Sequence, residues 1–574
     1  MQKNRIKTVL SVILAVCCLA AVSVDVYQQS VSLRTLGAWI VLLGSFFFIT
    51  RGLLHKQPAS HHVSCVTKKE KIILLLLGIE TLVSLWWFGI QPTHFHYDEF
   101  ITATTSYTLP IFQKINWFGV FPNIDEWVCQ FPILFHILQY PFIRVFPTVM
   151  GVRMSTWPYT VGTVCIVYLM TRHITKRKVL AFFAANAFIF IAPQQYIGSL
   201  GLHFHAGIFF FMLSIYSFMK ISDEQRPLDV FVLGISAACC YLGYTAAYII
   251  APLLIMMGVI RMLLKPKKKL LIAYAIASII ALFAVTPWII YAVRYNNFFL
   301  QRINQINVFT GTWIESQNKV TIQNITTLLP TRILTILSSF LRDNKSGVGE
   351  YFFGSMALLD PFSVILLCSG VVYFMILIVR KKFNAFVLVT SMVLLFITST
   401  VLTQNPTPFH RLSIDFPFVG ICIGCGMGTM YILWSKYSTL RTVGYAISIL
   451  LLIAYIFVNT YRAGIMVEND KTLRNMESLS IAWYVKAYTH PGDSVQIIAF
   501  PQYHLGKELF FRTNGTIRYI TDRTIEVMDM PEPQLIIVQY PNNETLSAVK
   551  KRYPNAARLY DPFTLHNHAV FINQ

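Results

Sequence analysis

The chain has 574 residues, of which 55% are hydrophobic and only 13% are charged, and its mean hydropathy is +0.56. Soluble domains carry about 25% charged residues, so this composition excludes a string of globular domains, a disordered chain and a fibrous repeat. In a soluble protein the net charge of +21 would indicate a nucleic-acid partner. Here the basic residues lie between apolar segments, so the sequence predicts a polytopic membrane protein with no nucleic-acid partner.

Apolar runs long enough to cross a bilayer recur up to about residue 460. A span needs about 20 mostly apolar residues, and thirteen runs qualify, so we predict an α-helical polytopic protein with about 13 transmembrane helices. The first run could be a cleaved signal peptide, but its length and the run directly after it favour an uncleaved helix. The runs lie near 8–26, 35–54, 72–91, 152–171, 179–193, 203–220, 228–244, 246–264, 270–292, 359–379, 384–403, 413–434 and 441–460.

The distribution of Lys and Arg predicts the orientation, because cytoplasmic loops of membrane proteins carry an excess of these residues. With the N-terminus inside, the inward-facing segments hold 24 of the 47 basic residues, whereas the outer loops of the membrane region hold nine. We therefore expect a multi-pass protein of the plasma membrane, with a cytoplasmic N-terminus and an extracytoplasmic C-terminal domain.

The composition divides the chain into three regions. Residues 1–70 form a two-helix N-terminal extension, and 71–464 form a transmembrane module with long outer loops at 92–151 and 293–358. Loops of this length are usually functional, so we expect the working face outside. Residues 465–574 hold 11 of the 26 acidic residues and alternate apparent helices with short apolar strands, as in a small α/β domain. The predicted strands are 494–500, 534–540 and 568–573.

The stretch that follows the third span is the most informative about chemistry, because Asp98 and Glu99 are adjacent there and His96 precedes them. A carboxylate at a membrane surface can act as a general base toward a hydroxyl or bind a divalent cation through oxygen ligands. His96 could supply a further ligand. The alternative is helix capping, with Asp98 at the start of a helix and Glu99 in its first turn. The two roles do not exclude each other.

Asp98 and Glu99 open the first long outer loop, and an interfacial helix predicted at 133–149 and the sequence Gly151-Val152-Arg153-Met154 follow. This arrangement resembles the GT-C glycosyltransferases, which include protein O-mannosyltransferases and the aminoarabinose transferase of lipid A. The resemblance is clearest over residues 71–300. It implies a multi-span helical fold and a polyprenyl-phosphate sugar as donor. It also implies that Asp98 is the catalytic base or metal-facing residue, with Glu99 beside it.

The second outer loop departs from this pattern, because many GT-C enzymes place an acidic residue where this chain has His203 and His205. Neutral imidazole can still bind a divalent ion. Residues two apart on a helix do not share a face, so both histidines cannot be ligands unless the segment is extended. We therefore take His96 and His203 as candidate ligands of Mg²⁺ or Mn²⁺. The alternative is a histidine that caps a span at the interface.

A late outer connection ends in His410 and Arg411, directly before another span. An arginine guanidinium stays charged and binds phosphate with two parallel hydrogen bonds. The sequence therefore predicts that Arg411, with His410, binds the donor phosphate, and the resemblance supports this because related enzymes have a basic residue in the corresponding loop. The alternative is an arginine that reaches toward lipid headgroups.

These features together predict an inverting glycosyl transfer at the outer face, from a polyprenyl-phosphate sugar to a hydroxyl of a glycan, lipid or protein. Asp98 would deprotonate the acceptor, and Arg411 would stabilise the departing phosphate. The alternatives are a flippase or transporter of lipid-linked saccharide and a polymerase of lipid-linked sugars. A transporter needs polar residues deep in several spans, whereas most spans here are apolar through their middles, which favours chemistry at the surface.

Overall fold

The structure is a computed structural model, and it describes the chain in segments. These are residues 2–28, 33–54, 66–90, 99, 102–103, 106, 134–146, 148–294, 303–312, 319–342, 356–403, 409–434, 437–473, 484–485, 487–490, 492–498, 517–520, 533–539, 543–559 and 568–573.

Most of the described part of residues 2–473 is helical. Each of the thirteen predicted runs overlaps at least one helix. The helices are α1 (Gln2–Tyr27), α2 (Leu33–Leu54), α3 (Lys68–Gly89), α4 (Leu134–Val145), α5 (Val149–Met154), α6 (Trp157–Thr175), α7 (Lys178–Ile189), α8 (Ala192–Ser199), α9 (Phe204–Asp223), α10 (Pro227–Tyr241), α11 (Ile250–Leu264), α12 (Lys268–Arg294), α13 (Ile325–Ser339), α14 (Pro361–Val379), α15 (Phe383–Phe396), α16 (Phe409–Leu412), α17 (Phe416–Met427), α18 (Thr429–Trp434) and α19 (Ser438–Leu473).

Within the described residues, seven helices are long and apolar enough to cross a membrane. The pair α7 and α8 would be an eighth crossing, bent by 63°. Several other predicted runs, including those of α1, α2, α10 and α17, form shorter apolar helices. The prediction of a multi-pass helical membrane protein is therefore confirmed, while the number of thirteen crossings stays a prediction. The seven are Lys68–Gly89, Phe204–Asp223, Thr245–Leu264, Lys268–Thr286, Pro361–Val379, Phe383–Val401 and Leu440–Glu468.

Polar contacts between helix ends show which ends share a face of the bundle. Glu70 in the first turn of α3 pairs with Arg172 in the last turn of α6, with 2.8 Å between Oε1 and Nε. Asp223 at the end of α9 contacts His173 at 3.0 Å and Arg261 at 3.6 Å. The ends of α6, α9 and α11 therefore lie on one face with the start of α3. The opposite ends of these helices lie on the other face, in agreement with the predicted alternation.

The centre of the bundle is α17, all of whose residues are buried. It approaches α7 and α14 closely because glycines stand at the contacts. A Cβ on Gly424 would lie 2.3 Å from the Cα of Ala184, and a Cβ on Gly370 would lie 1.8 Å from the carbonyl oxygen of Cys422. Any larger side chain at these two positions would push the helices apart. The glycines therefore allow α7, α14 and α17 to pack closely at the centre of the bundle that carries the polar residues described below.

The C-terminal region contains a five-stranded mixed sheet in the order β2-β1-β3-β5-β4. Strand β1 pairs in parallel with β2 and β3, while β5 is antiparallel to β3 and β4. Helix α20 (Asn543–Arg552) buries Val549 against Ile536 and Phe571 of the sheet. Strands β1, β3 and β5 lie within the predicted strand segments, and the sequence analysis missed β2 and β4. The strands are β1 (Val495–Ile498), β2 (Ile517–Ile520), β3 (Leu535–Gln539), β4 (Ala556–Arg558) and β5 (His568–Asn573).

Candidate functional site

The candidate site residues from the sequence fall into two groups. Asp98 and His96 lie outside the described residues. Glu99, His203 and Arg411 are described, and each has a buried or half-buried side chain. The backbone of His410 belongs to the short helix α16, which also contains Arg411.

Glu99 is held in a buried ion pair with Arg153, and the two side chains are 0% and 1% exposed. Arg153 Nε donates to Oε1 of Glu99 at 3.2 Å, and Arg153 Nη2 donates to Oε2 at 3.5 Å. The backbone N–H of Gly201 donates to Oε1 at 2.6 Å. Arg153 Nη1 in turn donates to the carbonyl oxygen of Gly89 at 2.9 Å. The pair thereby joins the end of α3, helix α5 and the turn between α8 and α9.

This geometry gives Glu99 a positioning role. Its carboxylate accepts hydrogen bonds from a guanidinium and a backbone amide, and both contacts satisfy charge and hydrogen-bonding capacity that burial would otherwise leave unpaired. The pair also fixes the backbone immediately after Asp98. The catalytic role of Glu99 stays a prediction. Its pairing with Arg153, 54 positions later, was not predictable from a local pattern.

A chain of buried polar side chains starts two residues after Arg153. Gln139 Nε2 donates to Ser155 Oγ at 3.0 Å, and Ser106 Oγ donates to Gln139 Oε1 at 2.6 Å. Ser106 Oγ also lies 2.9 Å from His136 Nδ1. The sequence analysis placed an interfacial helix at 133–149, and the structure has α4 there. It missed that His136 and Gln139, three positions apart, would share the face that carries this chain.

The two histidines of the second outer loop lie in apolar surroundings. The ring of His203 contacts the rings of Phe135 and Tyr244, with centroids 6.4 Å and 5.6 Å away. His205 Nε2 lies 3.1 Å from the carbonyl oxygen of Ile197. Among the described residues no three His, Cys, Asp or Glu side chains are grouped as a metal ion would require. The described surroundings of His203 therefore do not form a cation site, and the proposed metal ligands His96 and His203 stay a prediction.

A second polar cluster lies where α15 ends, and two arginines from distant segments meet there at Thr403. Arg411 Nη1 donates to the hydroxyl of Thr403 at 2.9 Å. Arg332 on α13 donates from Nε to the carbonyl oxygen of Val401 at 2.9 Å and from Nη2 to that of Thr403. The sequence analysis identified Arg411. Arg332 lies in the predicted long loop 293–358 and was given no role there, because a contact between positions 332 and 403 is not visible in a local sequence pattern.

The backbone geometry at the end of α15 explains why these carbonyl groups are available. Residues Ile397–Val401 form a π-helical turn, and such turns leave the usual hydrogen-bond pattern and occur often at functional sites. Just below, Ser399 Oγ lies 3.4 Å from Oδ2 of Asp415, a carboxyl group that is 3% exposed. The π-helical turn thus places hydrogen-bond acceptors within reach of the guanidinium groups of Arg332 and Arg411, at the face where α15 ends.

Both polar clusters are connected to α8 and α9. The 3-10 turn Ser413–Asp415, which follows Arg411, packs against α8 and α9. The connection between α8 and α9 carries Gly201, whose N–H binds Glu99. The arginine cluster and the Glu99 ion pair are therefore each connected to α8 and α9, and both lie at the face where α3 and α15 end.

The Glu99–Arg153 pair leads to a prediction about stability. Arg153→Met leaves the Glu99 carboxylate buried without its cation, which should lower the free energy of unfolding by about 3 kcal/mol. The double variant Glu99→Gln with Arg153→Met removes the charge and keeps an oxygen for the Gly201 N–H, so it should regain most of that loss. Thermal unfolding of the purified proteins in detergent measures both effects.

The exposed arginine Arg342 supplies the control for this comparison. Arg342→Met removes the same charge from a solvated position and should change the unfolding temperature little. A double variant no more stable than Arg153→Met alone would contradict the role given to the pair.

His136 leads to a prediction about pH. Burial lowers the pKa of His136 from 6.5 to about 4. Between these two values the unfolded chain binds a proton at this residue and the folded chain does not. Stability is therefore lost as the pH falls from 6.5 toward 4, and the loss at pH 4 is about 3 kcal/mol. His136→Gln cannot be protonated, so the variant should lose less stability than the parent protein between pH 7 and pH 4.5 in detergent unfolding experiments. Equal losses for the two proteins would show that His136 is not buried in its neutral form.

The fold resembles that of solved membrane glycosyltransferases. ArnT from Cupriavidus metallidurans bound to undecaprenyl phosphate superimposes with a TM-score of 0.55 at 11% identity, over 88% of this chain and 99% of that one. The same enzyme in its apo state gives 0.53 at 10% identity, over 87% and 98%. The S. cerevisiae protein O-mannosyltransferase Pmt1-Pmt2 complex gives 0.33 at 15% identity, over 41% and 35%. In sequence, the chain matches no family model and no curated protein. The end-to-end likeness to ArnT confirms the fold predicted from the sequence: this chain has a GT-C-like fold.

Proposed function

We propose that this chain is a membrane glycosyltransferase that moves a sugar from a polyprenyl-phosphate donor to an acceptor hydroxyl on the outer face of the plasma membrane. The observation that carries the proposal is the convergence of Arg332 and Arg411 on Thr403, at the end of a membrane-spanning helix. A lipid phosphate in a bilayer lies at this depth, where an apolar helix gives way to polar groups.

The two arginines are suited to bind the phosphate that is the leaving group of the proposed reaction. A guanidinium remains charged under all physiological conditions and its planar N–H groups match phosphate oxygens. The hydrogen bonds to Thr403 and Val401 go to neutral oxygen atoms, and they orient the two side chains at the end of α15. Fixed positive charge at the point where negative charge develops is the largest single contribution to many enzymatic accelerations. His410, beside Arg411 on α16, stays a candidate for the same phosphate.

The reaction then runs as a single displacement. Asp98 accepts the proton of the acceptor hydroxyl, and the oxygen forms a bond to the anomeric carbon of the sugar. The bond between that carbon and the phosphate oxygen breaks, and its electron pair leaves with the polyprenyl phosphate. Attack opposite to the leaving group inverts the configuration of the sugar. Arg411 and Arg332 stabilise the phosphate as its charge grows, and the Glu99–Arg153 pair holds the backbone next to Asp98.

The likeness to ArnT supports the lipid donor. It extends over nearly the whole of that chain, and the ArnT structure contains undecaprenyl phosphate. We extend the proposal to the remaining architecture: thirteen crossings, an N-terminus in the cytoplasm, and residues 465–574 outside the cell as an α/β domain that binds the acceptor or a partner protein. A divalent cation held near Asp98 would further stabilise the phosphate.

The first prediction concerns binding of the donor phosphate. Arg411→Gln removes one of the two charges, and loss of a charge-assisted hydrogen bond should weaken binding of undecaprenyl phosphate about tenfold or more. Titration of the purified protein with undecaprenyl phosphate alone, followed by intrinsic tryptophan fluorescence or calorimetry, measures the effect. Arg342→Gln, an exposed arginine at the end of the same loop segment as Arg332, is the matched control and should bind normally. Unchanged affinity in Arg411→Gln would remove the arginine from the donor site.

The second prediction concerns the catalytic base. Asp98→Asn keeps the size of the side chain but cannot accept the proton, so transfer should fall at least a hundredfold, while undecaprenyl phosphate binding stays intact. Release of polyprenyl phosphate from a lipid-linked sugar by membranes that contain the protein is the readout. Glu544→Gln, an exposed acidic residue of α20, is the control. Near-normal transfer by Asp98→Asn would refute the assignment.

A flippase or transporter of lipid-linked saccharide is the second candidate function, and a polymerase is a variant of the transferase. The Glu99 and Arg411 clusters lie at helix ends, and this favours surface chemistry. A flippase would leave the sugar on its lipid, so release of polyprenyl phosphate in the same assay separates the two.

A further inference from the structure

An apolar groove of about 1050 Å³ lies between α9, α10, α11 and α12. It follows α12 from Leu271 to Ile289, a length of about 27 Å at the rise of an α-helix. Small residues give the groove its depth on both sides: Gly258 lies on α11, and Ala275 and Ser278 lie on α12. Clefts of about 300–1000 Å³ hold whole small ligands, so this one is large enough for a long chain.

The wall of the groove is ordered and presents almost no free polar group. The ring of Tyr274 stacks on that of Phe218 with centroids 5.2 Å apart and planes 10° apart. The Tyr274 hydroxyl lies 2.7 Å from Ser222 Oγ, so the polar end of the ring is engaged within the protein. Most of the surface that faces the groove is apolar, although the lining includes Ser278. Because the lining helices α9, α11 and α12 are candidate spans, the groove is suited to the hydrocarbon environment of a bilayer.

One end of the groove carries a dense positive charge. The turn that joins α11 to α12 has lysines at 265, 267, 268 and 269, all of them exposed, within a stretch of 85 residues that has no acid between Asp229 and Glu315. Arg261, one turn earlier, is committed elsewhere. It donates to the carbonyl oxygen of Ser222 at 2.7 Å and lies over the Phe383 ring at 4.8 Å. The lysines are therefore the charged rim of the groove.

We propose that this groove is a binding site for an anionic phospholipid, with an acyl chain along α12 and the phosphate headgroup at the lysines of the α11–α12 turn. An apolar groove with lysines at one end complements an amphiphile whose headgroup is negatively charged. Basic clusters at the end of a membrane helix attract anionic lipids in this way. The lysine-side half of the groove is about 14 Å long by the helix rise, which is close to one leaflet of a hydrocarbon core about 30 Å thick.

This site is separate from the proposed donor site. Asn384 Nδ2, at the start of α15, donates to Asp223 at 2.9 Å, and Asp223 also contacts Arg261 at the end of α11. The start of α15 therefore lies on the face of the lysine turn, and its other end, at Thr403, lies on the opposite face with Arg411. A lipid whose phosphate binds the lysines cannot present that phosphate to Arg411. The inference does not depend on the proposed function.

Native mass spectrometry of the full chain in detergent tests the charge. The parent protein is titrated with phosphatidylglycerol, phosphatidylcholine and undecaprenyl phosphate. We expect saturable retention of phosphatidylglycerol above phosphatidylcholine. Changing Lys267, Lys268 and Lys269 to Gln should weaken phosphatidylglycerol binding about tenfold. The matched control changes the exposed Lys68, Lys69 and Lys71 to Gln. It removes the same charge from another helix start on the same face, and should bind as the parent does.

A second pair of variants tests the groove itself. Ala275→Phe with Ser278→Phe fills the lysine-side half and should abolish selective retention with the lysines intact. Ile365→Phe with Val372→Phe enlarges two exposed residues of α14 outside the groove and should leave it unchanged. Retention unaffected by both the lysine and the groove variants would overturn the proposal. Retention of phosphatidylcholine as strong as that of phosphatidylglycerol and undecaprenyl phosphate would also overturn it, since the lysines would then not select an anionic headgroup.

Discussion

The buried ion pair between Glu99 and Arg153 is the interaction on which the polar groups at the ends of α3 and α8 depend. Two charges removed from water cost several kcal/mol each, and only close mutual contact with further hydrogen bonds offsets that cost. Here the further bonds come from the Gly201 N–H and the Gly89 carbonyl. Because these groups belong to different helix ends, the pair cannot form unless α3, α5 and the α8–α9 turn are all in place. The backbone next to Asp98 is thereby fixed by the packing of the whole bundle.

The arginine cluster is connected to the same two helices, α8 and α9. The residues that follow Arg411 pack on α8 and α9, and α8 itself exists because the span bends by 63° after α7. The bend places the short buried helix α8 next to both the turn that carries Gly201 and the Ser413–Asp415 turn that follows Arg411. The proposed displacement reaction needs a base and a phosphate-binding pair on opposite sides of the sugar, between the attacking oxygen and the leaving phosphate.

Hydropathy is a local property, so the helices were predictable from the sequence, and each apolar run does contain a helix. The bend after Ile189 was not, since residues 179–193 are apolar on both sides of it. In the candidate site, Arg411 was recognisable because its loop is short and carries no other basic residue. Arg332 was not, because it reaches Val401 across 69 positions. Glu99 and Asp98 are indistinguishable as neighbours in sequence; only the position of Arg153 in space gives Glu99 its positioning role. Strand β4 has three residues, too few for an alternating pattern.

The central claim is that the chain transfers a sugar at the outer face, and the most direct test is a mass-spectrometric comparison of cell-envelope glycans with and without the protein. The account predicts the loss of one sugar decoration, with the rest of the envelope glycan unchanged, and its return with the parent protein but not with Asp98→Asn. Loss of all downstream glycan on the outer side would contradict the account and identify a flippase instead.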